Sequence, residues 1–268
     1  MMMAKARRNA TESFKNLKST ESDEKLLNSF PLINNQVEFY LSFIHDVIQS
    51  KNFKGKKILE IGSSAAVHYI ASASACFTNI VQAQLIPDSC EKLKRWHRKE
   101  VNLDFSFFLN IVAELEGYKD NLEEGRKLLE SQIRKCVKCV VPCDIHSDPI
   151  LKLEELTIVE IQPPYDLIIT ILTLESSCAD FYSYVTALKR MNKLLKKKGG
   201  LIVGGYECGG NWKIGNKWVP CLNLNISDVW CALKLAGFGN MTFKVHYGNK
   251  PESYYKHNNL YCIAAEKL

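Results

Sequence analysis

The sequence predicts an α/β protein built on a mostly parallel sheet with helices on both faces. Three observations lead there. Short apolar runs (KKILEIG, NIVQAQL, YDLIITI, LIVGGY) have the composition of buried strands. Between them lie longer segments whose apolar residues recur at helical spacing. The two kinds alternate, the pattern of strand–helix–strand units.

The first helix is predicted from Val37, Tyr40, Leu41, Ile44, Val47 and Ile48, which fall on one helical stripe. KKILEIG is the first strand, ending at Gly62, and SSAAVHYIASASACF is predicted as a helix of small residues. NIVQAQL is the second strand. Pro87 then suits a helical first turn, with Asp88 near the positive end and Leu93 and Trp96 on the buried side. An aromatic, apolar stretch (FSFFLNIVAELEG) leads to a helix from about 122 to 137, and CVVPCDI follows as a strand. YDLIITILTLE is a buried strand, and YSYVTALKRMNKLL a helix that KKKGG ends, with Gly199 as its C-cap. LIVGGY is the next strand. SDVWCALKLAGF forms a helix capped by Ser227 or Asp228 and closed at Gly237, and MTFKVHY and LYCIAAEKL are the last strands.

The 268 residues allow one or two domains at roughly 150 residues each. Hydrophobic residues make up 46 % and charged residues 24 %, which supports a sizeable core and excludes a wholly disordered chain. Residues 1–30 are polar, with Phe14 and Phe30 their only aromatics, and read as a flexible arm before a single domain over 31–268. No apolar run approaches the roughly 18–20 residues of a membrane span, and no apolar core follows the basic N-terminus as in a secretory signal.

The net charge of +6 comes from 35 basic and 29 acidic residues. Much of the excess lies on solvated faces, at Lys92, Lys94, Arg95, Arg98 and Lys99 and at Lys196, Lys197 and Lys198. Aromatics do not interleave it, so nucleic acid is not an expected partner. The 10 cysteines read as reduced thiols. Cys136, Cys139 and Cys143, with His146 nearby, are the nearest approach to a zinc site, but they span a helix end and a strand rather than a knuckle, so no metal is expected.

In such a sheet, ligands bind beyond the carboxyl ends of the strands. The first strand-to-helix turn, Glu60-Ile61-Gly62-Ser63-Ser64-Ala65-Ala66, is the place to look, because glycine there admits close approach of a ligand to the backbone.

The order of elements resembles the class I S-adenosylmethionine-dependent methyltransferases. Within them the chain is most similar to the nicotinamide/phenylethanolamine/indolethylamine N-methyltransferase family. The resemblance lies in ILEIGSSAAVHYIASA, KLKRWHRKE, AELEG with the helix to CDIH, LTLESSCADFYSYVTALKRMNKLLKKKGGLIV, AGF and NNLYCIAAEKL, over about residues 36–268. It implies a Rossmann-like seven-stranded sheet whose last strand is antiparallel. It also implies a cytoplasmic, monomeric enzyme that moves a methyl group from S-adenosylmethionine to a small amine or pyridine-like nitrogen.

By the same resemblance, Gly62, Ser63, Ser64 and His68 line the cofactor, Gln84 and Ser89 meet its ribose, and Asp144 with Ile145 holds the adenine. Ile171 lies beneath the cofactor at a strand end. Glu175 faces the substrate amine, where a carboxylate binds an ammonium and takes its proton, and Glu207 is a second substrate contact.

The chain also departs from the family pattern. Ser64-Ala65-Ala66 replaces Gly-Pro-Thr in the turn, His68 a tyrosine and Ser89 an asparagine. Gln84 stands where an acidic residue grips the ribose diol, so it binds without charge assistance. No tyrosine precedes Tyr40. Gly205 occupies the place of an aspartate in relatives acting on nicotinamide, which argues against nicotinamide as the substrate. These departures raise the alternative of a catalytically silent relative kept as a binding or regulatory protein.

Overall fold

A computed structural model describes residues 34–207, 211–214, 217–247 and 259–268, with side chains from 36–207, 221–247 and 259–268. The arm expected over 1–30 and the side chains of Trp212 and Trp218 lie outside the described residues.

Seven strands form one sheet in the order β3-β2-β1-β4-β5-β9-β8. They are β1 (Lys57–Gly62), β2 (Asn79–Gln84), β3 (Val137–Pro142), β4 (Tyr165–Ile171), β5 (Leu195–Glu207), β8 (Phe238–Tyr247) and β9 (Asn259–Lys267). The pairings among β1 to β5 are parallel, and β9 runs antiparallel to both β5 and β8. A separate two-stranded ribbon joins β6 (Asn211–Ile214) and β7 (Lys217–Pro220). The order reverses between β1 and β4, which makes their carboxyl ends the crevice of the fold.

Period-two alternation sends β1 residues to opposite sides: Ile58 packs in one core cluster, Leu59 and Ile61 in the other. The first cluster takes apolar faces of α1 (Asn34–Gln49), α2 (Pro87–His97), α3 (Ser106–Leu115) and α4 (Leu122–Cys136). The second takes those of α6 (Phe181–Leu194) and α7 (Ile226–Leu235); α5 (Leu174–Ser177) is a single turn after β4.

Helix ends follow local chemistry. The Asn121 side chain accepts from Glu124 N, and α4 carries Glu123 and Glu124 in its first turn and Arg134 and Lys135 in its last, matching its dipole. Asp180 and Ser183 form a capping box on α6.

Several sequence expectations are corrected. SSAAVHYIASASACF is not an α-helix but two short 3₁₀ turns, His68–Ile70 and Ser72–Ala75. Its small residues are buried throughout 65–68 and 70–74 and offer no polar face, while the Ser74 hydroxyl donates to Ala71 O at 2.6 Å. Gly199 does not cap α6. That helix stops at Leu194, and Gly199 lies within β5, beside a register shift between Tyr165 and Leu167. The α7 cap is Asn225, and Asp228 is the other half of its capping box. FSFFLNIVAEL contains a helix of its own, α3. Lys196 is not free in solvent but ion-paired to Asp166, which also accepts from Lys56 N and Lys57 N.

Cys136 packs in the first core cluster, whereas Cys139 and Cys143 pack against the second. The sheet therefore parts them, and among the described residues no group of side chains is arranged to hold a metal. No described helix is long and apolar enough to cross a membrane.

Candidate functional site

Backbone bonds join the tips of β1, β2 and β3. Gly62 pairs with Gln84, Leu85 N donates to Gly62 O at 2.9 Å, and Cys143 N donates to Gln84 O at 3.0 Å. Gly62, Gln84 and Asp144, which lie far apart in sequence, therefore sit side by side at one edge of the crevice. Ser63 and Ser64 are half-buried just beyond Gly62.

On the α1–α4 side of these strands lies a polar chain. Glu60 is directly across from Gln82, and Gln84 is across from Gly62. A Cβ on Gly62 would collide with the Glu60 carboxylate and lie 3.1 Å from Gln84 Nε2. With no side chain there, Glu60 leans over and accepts from Gln84 Nε2 at 3.0 Å and from Gln82 Nε2 at 3.3 Å. Gln82 Nε2 also donates to Ala66 O at 2.9 Å, and Gln82 Oε1 meets His97 Nε2 at 2.8 Å. Burial lifts Glu60 to about 8 and depresses His97 to about 4, the latter helped by the charge of Arg134. Gln84 Oε1 is buried and without a partner among the described residues, and so is the Ser89 hydroxyl in the first turn of α2.

Asp144 is half-buried in the turn after β3. Its carboxylate accepts from His146 N at 3.0 Å and from the Ser147 hydroxyl at 3.2 Å. Ile145 is fully buried, and its carbonyl accepts from Arg190 Nη1 at 2.8 Å, which ties the turn to α6. His68 is buried and stacked on Phe108, ring centroids 4.0 Å apart, and burial holds it down at about 3, so it is neutral.

A second group gathers at the ends of β4, β5 and β9. Ile171 closes β4 opposite Gly204. Glu175 lies not on that strand, as the sequence suggested, but on α5, and it is 4 % exposed. Among the described residues its Oε1 has no hydrogen-bond partner, and burial raises the carboxyl to about 7 although its own N–H and that of Tyr206 pull it back. A Cβ on Gly205 would lie 2.9 Å from that oxygen and 2.6 Å from the Tyr261 hydroxyl. The Tyr184 and Tyr261 hydroxyls are 3.3 Å apart, and Tyr40 donates to Gly205 O at 2.8 Å. Burial raises all three phenols, and no described cation forms a salt bridge with Glu175.

Glu207 is engaged elsewhere. Its carboxylate accepts from Ile226 N at 3.2 Å, at the start of α7, and from the Asn259 side chain, so it joins structural elements of its own chain. As site residues Glu60, Gln82, His97, Tyr40, Tyr184 and Tyr261 were not singled out from the sequence, where Glu60 stood only as the start of the turn and Tyr40 only on a helical stripe. Strand alternation could have found the first two, since it puts Glu60, Gln82 and Gln84 on one face once the β1–β2 register is known.

Comparison with known proteins bears on the family and the fold. The model of the NNMT/PNMT/TEMT family matches residues 26–268. Human nicotinamide N-methyltransferase is 28 % identical over 216 residues, 80 % of this chain and 78 % of that protein. Mouse indolethylamine N-methyltransferase is 26 % identical over 232 residues, 86 % of this chain and 84 % of that one. Pig phenylethanolamine N-methyltransferase is 28 % identical over 152 residues, covering 56 % of this chain and 51 % of that protein. Among solved structures, the N-methyltransferase NodS from Bradyrhizobium japonicum, bound to S-adenosyl-L-homocysteine, superposes with a TM-score of 0.52 at 13 % identity, over 97 % of this chain and 98 % of that one. A methyltransferase from Methanosarcina mazei gives 0.54 at 11 % identity, over 83 % of this chain and 97 % of that one. At these identities the structures speak for the fold.

Proposed function

The chain belongs to the NNMT/PNMT/TEMT family and is an S-adenosylmethionine-dependent methyltransferase; on that footing we propose that it methylates the nitrogen of a small amine or pyridine-like molecule. The observation that supports this reading best is the buried Glu175 oxygen without a partner, ringed by phenols. A carboxylate so placed lacks a cation, and an ammonium would supply one. The alternative of a silent relative finds no support among the matched proteins, which are named as methyltransferases.

The strand tips fit the nucleoside part of the cofactor. Ribose hydroxyls and the adenine amine are donors, so their site needs spare acceptors and an uncrowded turn. Among the described residues Gln84 Oε1 and the Ser89 hydroxyl are unpartnered, Asp144 adds a half-buried carboxylate in the turn after β3, and position 62 tolerates no Cβ. We assign Gly62, Ser63 and Ser64 to the cofactor backbone contact, Gln84 and Ser89 to the ribose, Asp144 and Ile145 to the adenine, and Ile171 to the floor. His68 takes part as a neutral packing ring behind the turn. Glu207 is left out of the substrate role because its carboxylate ties the start of α7 to the Asn259 side chain.

S-adenosylmethionine supplies, when bound, a sulfonium methyl already activated for transfer. The protein's task is to bring the acceptor in with its nitrogen unprotonated. Glu175 receives the ammonium as a carboxylate, takes its proton, and leaves the nitrogen lone pair free to attack. The surrounding phenols and apolar walls exclude water, and holding both partners in line can contribute roughly 7–11 kcal/mol. A cytoplasmic, monomeric enzyme belongs to the same proposal, supported by the family resemblance.

The test is calorimetric titration with S-adenosylmethionine and S-adenosylhomocysteine, followed by labelled-methyl transfer to a panel of aliphatic amines and pyridines. Binding with transfer to an amine is the expected result. Binding of neither nucleoside at millimolar concentration overturns the reading.

A further inference from the structure

At the β2 tip the cofactor site offers an amide rather than a charge, and an amide can present either end. Which end it presents is settled by its neighbours. The Ala66 carbonyl can only accept, so Gln82 must turn its NH₂ toward it and toward Glu60. That leaves Gln82 Oε1 facing His97, whose ring then carries its proton on Nε2. The chain from α2 through Gln82 thus holds the Glu60 carboxyl in place. Glu60 in turn takes the NH₂ of Gln84, and the bare α-carbon of Gly62 is what lets it reach so far. Oε2 of Glu60 accepts both amides whether or not Oε1 carries a proton. Among the described residues Gln84 Oε1 is then left, like His97 Nδ1, buried and with nothing to meet.

We propose that Glu60 is a positioning residue for the cofactor: by holding the Gln84 NH₂ it commits Gln84 Oε1 to act as the acceptor of a ribose hydroxyl. This rests on the placement of the cofactor at the tips of β1, β2 and β3. An amide held in this way replaces a carboxylate by fixing its orientation instead of by bearing charge. The supporting bonds come from residues 22 and 24 positions away from Glu60 in sequence, on a different strand.

The experiment compares S-adenosylhomocysteine with its 2′,3′-dideoxy analogue by titration calorimetry against wild type, Glu60→Leu and Glu60→Met, with thermal melting to confirm folding. Wild type binds both ligands, the dideoxy analogue more weakly. Glu60→Leu is expected to weaken S-adenosylhomocysteine about tenfold, the scale of one buried hydrogen bond, and the analogue less than about twofold. Where Glu60→Leu does not fold, Glu60→Met gives the same contrast, because its side chain likewise offers the Gln84 NH₂ no oxygen. Equal losses for both ligands, or no loss for either, overturn the inference while leaving the cofactor placement standing. Wild type that binds neither ligand overturns the placement and the inference together.

Discussion

The hydroxyl of Tyr261 occupies the space that a side chain on Gly205 would need, 2.6 Å from where its Cβ would lie. Glu175 Oε1 crowds the same point at 2.9 Å. Glycine at 205 is therefore tied to a tyrosine on β9 and an acid on α5. Gly205→Ala must displace a buried phenol, and a melting-temperature loss equivalent to about 1–3 kcal/mol is expected, along with a higher KM for the amine. A variant as stable as wild type would show that the phenol moves freely.

Glu175→Gln keeps the shape of the site and removes its base. Turnover should fall about a hundredfold or more, while the dissociation constant for S-adenosylhomocysteine stays within about twofold, since the residue touches the acceptor side. In wild type the carboxyl must be ionised to accept a proton, and burial holds it near 7. The rate should therefore rise as pH passes through about 7, and stopped-assay profiles from pH 5.5 to pH 9 would show it. A flat profile contradicts the assignment.

Asp144→Ala removes an acceptor from the adenine side and also the bonds from His146 N and Ser147 that shape the turn. Cofactor affinity should drop by about tenfold, with about 1 kcal/mol of stability lost from the turn bonds. Unchanged affinity in calorimetry would move the adenine pocket elsewhere.

Two buried carboxyls make the fold sensitive to mild alkali. Glu60 is raised to about 8 and Glu175 to about 7 from an ordinary 4.5, so the folded chain favours their protonated forms. Their contribution to stability is full below pH 4.5 and is lost as pH climbs through 7 and 8. His97 and His68 act in the opposite sense: depressed to about 4 and about 3, they favour folding above 6.5 and cease to as pH falls through those values. Above 6.5 only the carboxyls contribute among these four. Scanning calorimetry from pH 6.5 to pH 8.5 should show a falling melting temperature, and Glu60→Gln should flatten the decline. A rising or level curve in wild type would refute this account.

Much of the fold was legible along the chain because its cues are local. The alternation of apolar runs and helical stripes marked β1, β2, β4, β5 and most helices, and Gly237 was recognised as the residue closing α7, where its φ of +85° suits glycine. The failures have equally local causes. SSAAVHYIASASACF has helix-compatible residues throughout, but no polar side to leave in water, and the buried segment settles into 3₁₀ turns. KKKGG resembles a helix stop, yet the pairing of Tyr165 with Leu195 draws that segment into β5. Asp144 was visible as a carboxylate after a strand and Glu175 as one at a strand's end; Glu207 looked much the same, and only its bonds to Ile226 and Asn259 set it apart.

By itself the chain determined which residues could stand at the strand tips, because period-two burial and the turn at Gly62 are written in consecutive positions. What it could not determine is which of those residues meet. Tyr40 reaches Gly205 across 165 positions and Glu60 reaches Gln84 across 24, and both contacts depend on the order in which parallel strands are laid side by side. That order is set by packing over the whole sheet, so the partners of a buried polar group, and hence its protonation and orientation, are decided only in the tertiary structure.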